Sequence, residues 1–147
     1  MGTAVTTSSN ITKNLDWLID DFINRMPGID CAVVLSTDGM LISKSSAMSR
    51  ERAEHFCAMA SALHGLARSA AGYFEVGGVR QSVIELDRAV LFVTSAGDNA
   101  CLAVLAGEDM NMGMVAYEMN QTVVRVGSFL STTSRPNGAH GTGHRLP

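Results

Sequence analysis

Three runs along this chain are apolar at both odd and even positions: Ile29–Ser36, Ala89–Thr94 and Ala100–Leu105. An antiparallel strand with one wet face alternates between apolar and polar, so these three read as central strands covered on both sides. Two further strand-like segments, Met40–Ser45 and Val79–Leu86, are laced with Ser43, Lys44 and Ser45 or with Arg80, Gln81, Ser82 and Glu85. Such residues mark half-wet strands at sheet edges. Helical spacing replaces the strand pattern in the remaining segments. Leu15, Leu18, Ile19, Phe22, Ile23 and Met26 form one stripe on a helix over about Lys13–Met26, with Thr12 or Asn14 as cap and Pro27-Gly28 as stop. Asp16, Asp20 and Asp21 are expected on its solvated face. A second helix is expected over Arg50–Gly72 and a third after Glu108-Asp109, with Asp109 or Asn111 as its cap.

The element order is therefore α-β-β-α-β-β-β-α. Tight turns at Thr37-Asp38-Gly39, Asp87-Arg88 and Gly97-Asp98-Asn99 pair the first strand with the second, the third with the fourth and the fourth with the fifth. With the second and third strands at the edges, one order satisfies every constraint: 2-1-5-4-3, antiparallel. The expected fold is a three-layer α/β/α sandwich. The middle helix alone covers one face, because it connects the two strand groups, and the first and last helices share the other.

The middle helix carries two adjacent stripes. Phe56, Met59, Leu63, Leu66 and Ala70 are assigned to the sheet. Beside them run Ala58, Ala62, Gly65, Ser69 and Gly72, small residues at alternating four- and three-residue spacing that admit close approach of another helix. A glycine inside a helix costs about 1 kcal/mol relative to alanine, so Gly65 implies a packing purpose. The competing explanations are a high-GC coding bias and tight contact with this chain's own sheet. A lone helix about 10 Å wide cannot cover five strands spaced about 4.8 Å apart. A second copy of the helix across a two-fold axis would complete the cover, with the third strand, bearing Arg80 and Ser82, pairing with its mate. The dimer-interface set is thus Ala58, Ala62, Gly65, Ser69, Gly72, Arg80 and Ser82. A partner-binding set follows at the exposed start of the helix: Arg50, Glu51, Arg52 and His55.

Composition narrows the class. The chain has 147 residues, 46% of them hydrophobic, and a net charge of −3, which suits one soluble domain over residues 12–131. Residues 1–11 and 132–147 are small, polar or rich in Ser, Thr, Gly, Pro and His, and are expected to be a disordered leader and tail. Nucleic acid is not expected as a partner, since no basic stripe accompanies the mild acidity. Direct membrane insertion is not expected either, because no apolar run approaches the roughly 20 residues of a span. Met1–Thr6 fits an N-myristoylation pattern, but six residues are weak grounds and a loose leader is the reading adopted. Cys31, Cys57 and Cys101 are scattered in apolar segments, which implies buried free thiols and a cytoplasmic location.

Motifs for chemistry are missing from the sequence. It has no G-x-x-x-x-G-K-[ST] loop, no G-x-S-x-G elbow and no H-E-x-x-H. Cys57 and His64 lie seven residues apart on one helix; the cysteine reads as core, and His55 and His64 as surface or interface histidines without a third metal ligand. His140 and His144 fall in the tail. No catalytic residue, metal site or cofactor is expected.

Three segments together carry a family resemblance: PGIDCAVVLSTDGMLIS, the small-residue helix, and GGVRQSVIELDRAVLFVTSAGDNACLAVLAGEDMNMGMVAYEM. Over about Asn14–Leu130 the chain resembles the Roadblock, or dynein light-chain-like, proteins. It looks most like actinobacterial members encoded in conservons beside a sensor-kinase-like protein and a small Ras-like GTPase. The resemblance implies a homodimer, and a regulator or scaffold that binds such a GTPase and modulates its nucleotide cycle or location, with recruitment to a membrane through partners. Two other classes stand beside it. One is a purely structural adaptor of a sensor-kinase complex without effect on GTP turnover. The other is a small-ligand sensor, which the lack of a converging polar constellation disfavours.

Overall fold

The computed structural model describes the backbone of residues 2–145 and the side chains of residues 13–131. The elements are α1 (Gly2–Arg25), β1 (Ile29–Ser36), β2 (Leu41–Lys44), α2 (Arg50–Phe74), β3 (Gln81–Glu85), β4 (Ala89–Ser95), β5 (Ala100–Gly107) and α3 (Met112–Arg145). The five strands form one antiparallel sheet in the order β2-β1-β5-β4-β3. This is the order that the burial argument required. The expected loose ends, 1–11 and 132–147, lie outside the residues whose side chains are described, as does Thr12; Asn14, the alternative cap, lies inside α1 rather than at its start.

Alternation on β1 sorts the core into two layers. Ala32 and Val34 join Leu15, Leu18, Ile19, Phe22, Phe92, Leu102, Val104, Val115, Met119 and Val126 in the layer beneath α1 and α3. Cys31, Val33 and Leu35 join Ala53, Phe56, Cys57, Ala60, Val93, Cys101 and Ala103 beneath α2. Successive side chains on a strand point to opposite faces, so a strand apolar at every position feeds both layers at once.

Several surface expectations need correction. Ser43 and Ser45 of the supposedly half-wet second strand are buried, at 2% and 4% exposure. The Ser43 hydroxyl donates to Asp16 of α1, and Ser45 Oγ donates to the Ala32 carbonyl at 3.4 Å. Asp16, Asp20 and Asp21 are half-buried rather than free in solvent. The Ser46 N–H donates to Asp20 at 2.8 Å, and Arg25 bridges Asp21 at 2.9 Å and Glu118 of α3 at 2.7 Å. The acidic side of α1 thus fastens the helix to β2, to the loop after it and to α3. Helical periodicity separates apolar from polar positions, but it cannot show which polar positions meet a neighbouring element.

Candidate interaction surface

The site begins with how α2 is held. Ser49 caps its start, accepting from the Arg52 N–H at 3.1 Å. At the other end Glu75 adopts a left-handed φ of 55°, with its N–H donating to Gly72 O at 3.3 Å and the Val76 N–H donating to Ala71 O at 3.2 Å. These two hydrogen bonds form a Schellman closure. The helix therefore passes Gly72, its expected end, and stops after Phe74. Midway, Ser61 Oγ donates to the Thr37 carbonyl at 3.1 Å and pins the helix to the β1–β2 turn.

The face that α2 turns to the sheet is Ala53, Phe56, Cys57, Ala60 and His64, flanked by Leu63. Phe56 and Leu63 were placed there correctly. Met59 and Leu66 were not, since they are 60% and 69% exposed, and Ala70 is exposed too. The chosen stripe was rotated toward solvent because it followed the largest apolar residues. Close packing over a flat sheet instead favours the smaller Ala53, Cys57 and Ala60 around one phenylalanine. His64, read as a surface or interface residue, is buried at 5% exposure.

Outward from the sheet, α2 presents one continuous surface. Ala58, Ala62, Gly65, Ser69 and Gly72 are all exposed, and Met59, Leu66 and Tyr73 run alongside at heptad spacing. A Cβ placed on Gly65 or Gly72 would meet no atom within 4 Å, so neither glycine serves contact with this chain's own sheet. Large apolar residues cluster where the helix ends: Tyr73, Phe74 and Val76 are 80%, 66% and 73% exposed, with the two rings edge to face at 4.9 Å. The signal that the sequence reading missed was the seven-residue recurrence of Met59, Leu66 and Tyr73.

The bare area continues onto the sheet. Directly opposed residues share a face, and Leu105, Leu91 and Ile84 lie in register across β5, β4 and β3. Cys31 of β1 opposes Leu105 and belongs to the α2 layer, so Ile84 faces α2's side of the sheet. Ile84 and nearby Leu86 are exposed there, as is Val83 on the opposite face. Among the described residues, β3 is an edge strand without a partner strand on its outer side. Arg80, just before β3, is exposed, and Ser82 within it is half-buried. β2, the other edge, is short and bulged and carries Lys44, features that discourage further pairing.

The charged set at the start of α2 is brought together by the first turns: Arg50, Glu51, Arg52 and His55 are all exposed. Arg50 bonds Glu54 at 3.1 Å in a solvent-exposed pair, a contact worth little to stability. Elsewhere, a cavity of about 410 Å³ lies between the β4–β5 turn and α3, lined by Ser36, Ile42, Asp98, Asn99, Gly127 and Leu130 among others. Asp98 and Asn99 stand exposed, so among the described residues no buried polar side chain lines the cavity to orient a ligand. Among the described residues no three His, Cys, Asp or Glu side chains gather to hold a metal, and no helix is long and apolar enough to cross a membrane.

Comparison with known proteins agrees with this architecture. A Roadblock/LC7 domain structure from Streptomyces avermitilis is 42% identical, with a TM-score of 0.75 over 78% of this chain and 96% of that one. MglB of Myxococcus xanthus shares the fold at 11% identity, with a TM-score of 0.76 over 83% of this chain and 91% of its own. An uncharacterized protein of Methanocaldococcus jannaschii is 29% identical over 104 residues, 71% of this chain and 90% of the relative. The Roadblock/LC7 domain model matches residues 15–106, from Leu15 of α1 to Ala106 of β5, and the chain belongs to that family.

Proposed function

We propose that this protein is a homodimeric, non-enzymatic regulator or scaffold that binds a small Ras-like GTPase within a cytoplasmic signalling complex. The observation that carries the reading is the contiguous unpartnered surface of α2 and β3. It combines exposed Met59, Leu66, Tyr73, Ile84 and Leu86 with glycines whose missing side chains relieve no contact inside the chain. Exposed apolar surface of this extent, joined to an open strand edge, favours a second copy of the same chain. Antiparallel pairing of α2 about a two-fold near Leu66 sets Met59 against Tyr73 of the other copy, and β3 pairs with β3 alongside. The GTPase is the partner implied by the Roadblock resemblance. The paired starts of α2, with Arg50, Glu51, Arg52 and His55, are the charged surface available to orient it.

Light scattering of the purified chain tests the pairing, with a dimer expected. Single-turnover GTP hydrolysis by a small Ras-like GTPase from the same organism, with and without this protein, tests the function. A changed hydrolysis rate supports a regulator. Binding without any change supports the structural adaptor of a sensor-kinase complex, and absence of binding removes the GTPase from the proposal.

A further inference from the structure

α2 is 25 residues long, about 37 Å at 1.5 Å per residue, yet its grip on the sheet ends early. Its buried residues are Ala53, Phe56, Cys57, Ala60 and His64. Past His64 no residue of the helix is buried; Ala67 and Ala71 are half-buried and the others through Phe74 are exposed. His64 is the last anchor before an overhanging arm. That arm carries Gly65, Leu66, Ser69, Gly72 and Tyr73, the distal half of the surface offered to a second copy.

A titratable ring is an unusual anchor. His64 is 5% exposed and its Nδ1 is sealed from solvent without a hydrogen-bond partner. In the neutral ring Nδ1 can be a bare lone pair, whereas the imidazolium makes both nitrogens donors. Protonation would therefore bury an N–H with no acceptor, together with a charge. Among the described residues no opposite charge acts on the ring. Arg68, one turn along α2, acts on His64 with the same sign. Arg68 also acts on Cys101 of β5, whose thiol stays neutral because burial pushes it up to about 11. Arg80, exposed just before β3, is another cation. Toward α2, β1 turns Leu35, β2 Leu41 and Lys44, β3 Ser82 and Ile84, and β4 Val93; the charged group among these is Lys44, again a cation. Burial first, and Arg68 second, hold the imidazole below its ordinary value.

We propose that His64 is a proton-sensitive hinge: neutral, it clamps the distal arm of α2 to the sheet; protonated, it frees the arm and weakens pairing between copies. The inference rests on the reading of α2 and β3 as the self-association surface. Its sign follows from linkage. The docked ring has a lower affinity for protons than the freed ring, whose value lies near 6.5. The clamp is therefore at full strength above about pH 6.5 and is lost as pH falls from there through the docked value. Each ring contributes at most about tenfold per pH unit, so two rings in a dimer contribute at most about a hundredfold.

The test compares the full chain near pH 7.5 and about pH 5.5, where a histidine changes charge, by sedimentation equilibrium and by amide hydrogen exchange. Wild type, His64→Leu and His55→Gln are measured side by side. In wild type the dissociation constant is expected to rise about tenfold or more at the lower pH. Residues 65–74 should lose exchange protection while 53–60 keep theirs. His55→Gln should behave as wild type and His64→Leu should be flat in both readouts. An undiminished pH response in His64→Leu, or unchanged protection of 65–74 in wild type, overturns the hinge. A wild type that is monomeric at both pH values overturns the self-association reading, and the exchange data then decide whether the arm is released. Should His64→Leu fail to fold, the NMR titration of His64 in wild type decides: a midpoint at or above about 6.5 overturns the proposal.

Discussion

At the scale of single residues, two glycines show how one residue type serves opposite ends. Gly28 sits at φ 94°, and a Cβ there would lie 3.0 Å from Met110 Cβ, so both its backbone and its surroundings exclude a side chain. Gly28→Ala is expected to destabilise the fold by about 1–3 kcal/mol in urea unfolding. Gly65 lies in regular helix with nothing within 4 Å of its missing Cβ. Gly65→Ala should leave the isolated fold unharmed or more stable by up to about 1 kcal/mol. Gly65→Leu should keep the fold yet break the dimer, read as a halved mass in light scattering. The three cysteines are all buried. Burial pushes the Cys57 thiol up to about 11, with Glu54 adding to it, and raises Cys31 as well. Native protein at neutral pH should therefore resist thiol reagents until it unfolds; rapid labelling of Cys57 would reopen a redox role. The burial of the cysteines was legible from their apolar neighbours. That of His64 was not, because its side chain lies on the sheet-facing stripe only once the phase of the helix is known.

Elements divide along the same line. The central strands were readable because a run apolar on both faces has one explanation, burial on both sides, and β1 spans the expected segment Ile29–Ser36. α2 was readable as a helix but not in its rotation, so Met59 and Leu66 were assigned inward when they point outward. A helix with apolar residues on two sides carries two candidate faces, and periodicity alone does not rank them. The first turn of α2 gives the prediction at this scale. Arg50 and Arg52 are exposed, and the pair between Arg50 and Glu54 is wet, so reversing both arginines to Glu should cost little stability. On the proposed reading, the change should weaken capture of a small Ras-like GTPase in a pull-down while the proposed dimer persists. Unaltered capture would move attention to the opposite face, where Met114, Tyr117 and Val124 of α3 and Trp17 of α1 are exposed.

For the whole molecule, the two core layers set what can be removed. Among the described residues, every buried hydrophobic lies between Leu15 and Val126, and the outermost residues packed against them reach Leu130. A chain trimmed to residues 12–131 should therefore fold and self-associate as the full chain does, checked by circular dichroism and light scattering. A large loss of thermal stability would show that the ends contribute to the core. The same layering explains why self-association is expected of the whole rather than of an isolated helix. α2 covers β1 and β5 but leaves Ile84 and Leu86 beside β3 bare. An edge strand and a helix exposed together are best buried by a symmetric copy.

The order of hydrophobic and polar residues by itself determined the number of elements, the antiparallel sheet, its strand order and the division of helices between its faces. Each of these follows from local periodicity and from the need to bury strands that have no polar side. Tertiary structure alone decided which polar groups are internal. Ser43 and Ser45 pass for solvent-facing until α1 brings Asp16 to Ser43 and the Ala32 carbonyl meets Ser45. His64 passes for a surface residue until Ser61 ties α2 to the β1–β2 turn and its rotation is set. Burial of a polar side chain depends on partners distant in sequence, and on a helix phase that close packing chooses among several faces of similar hydrophobicity.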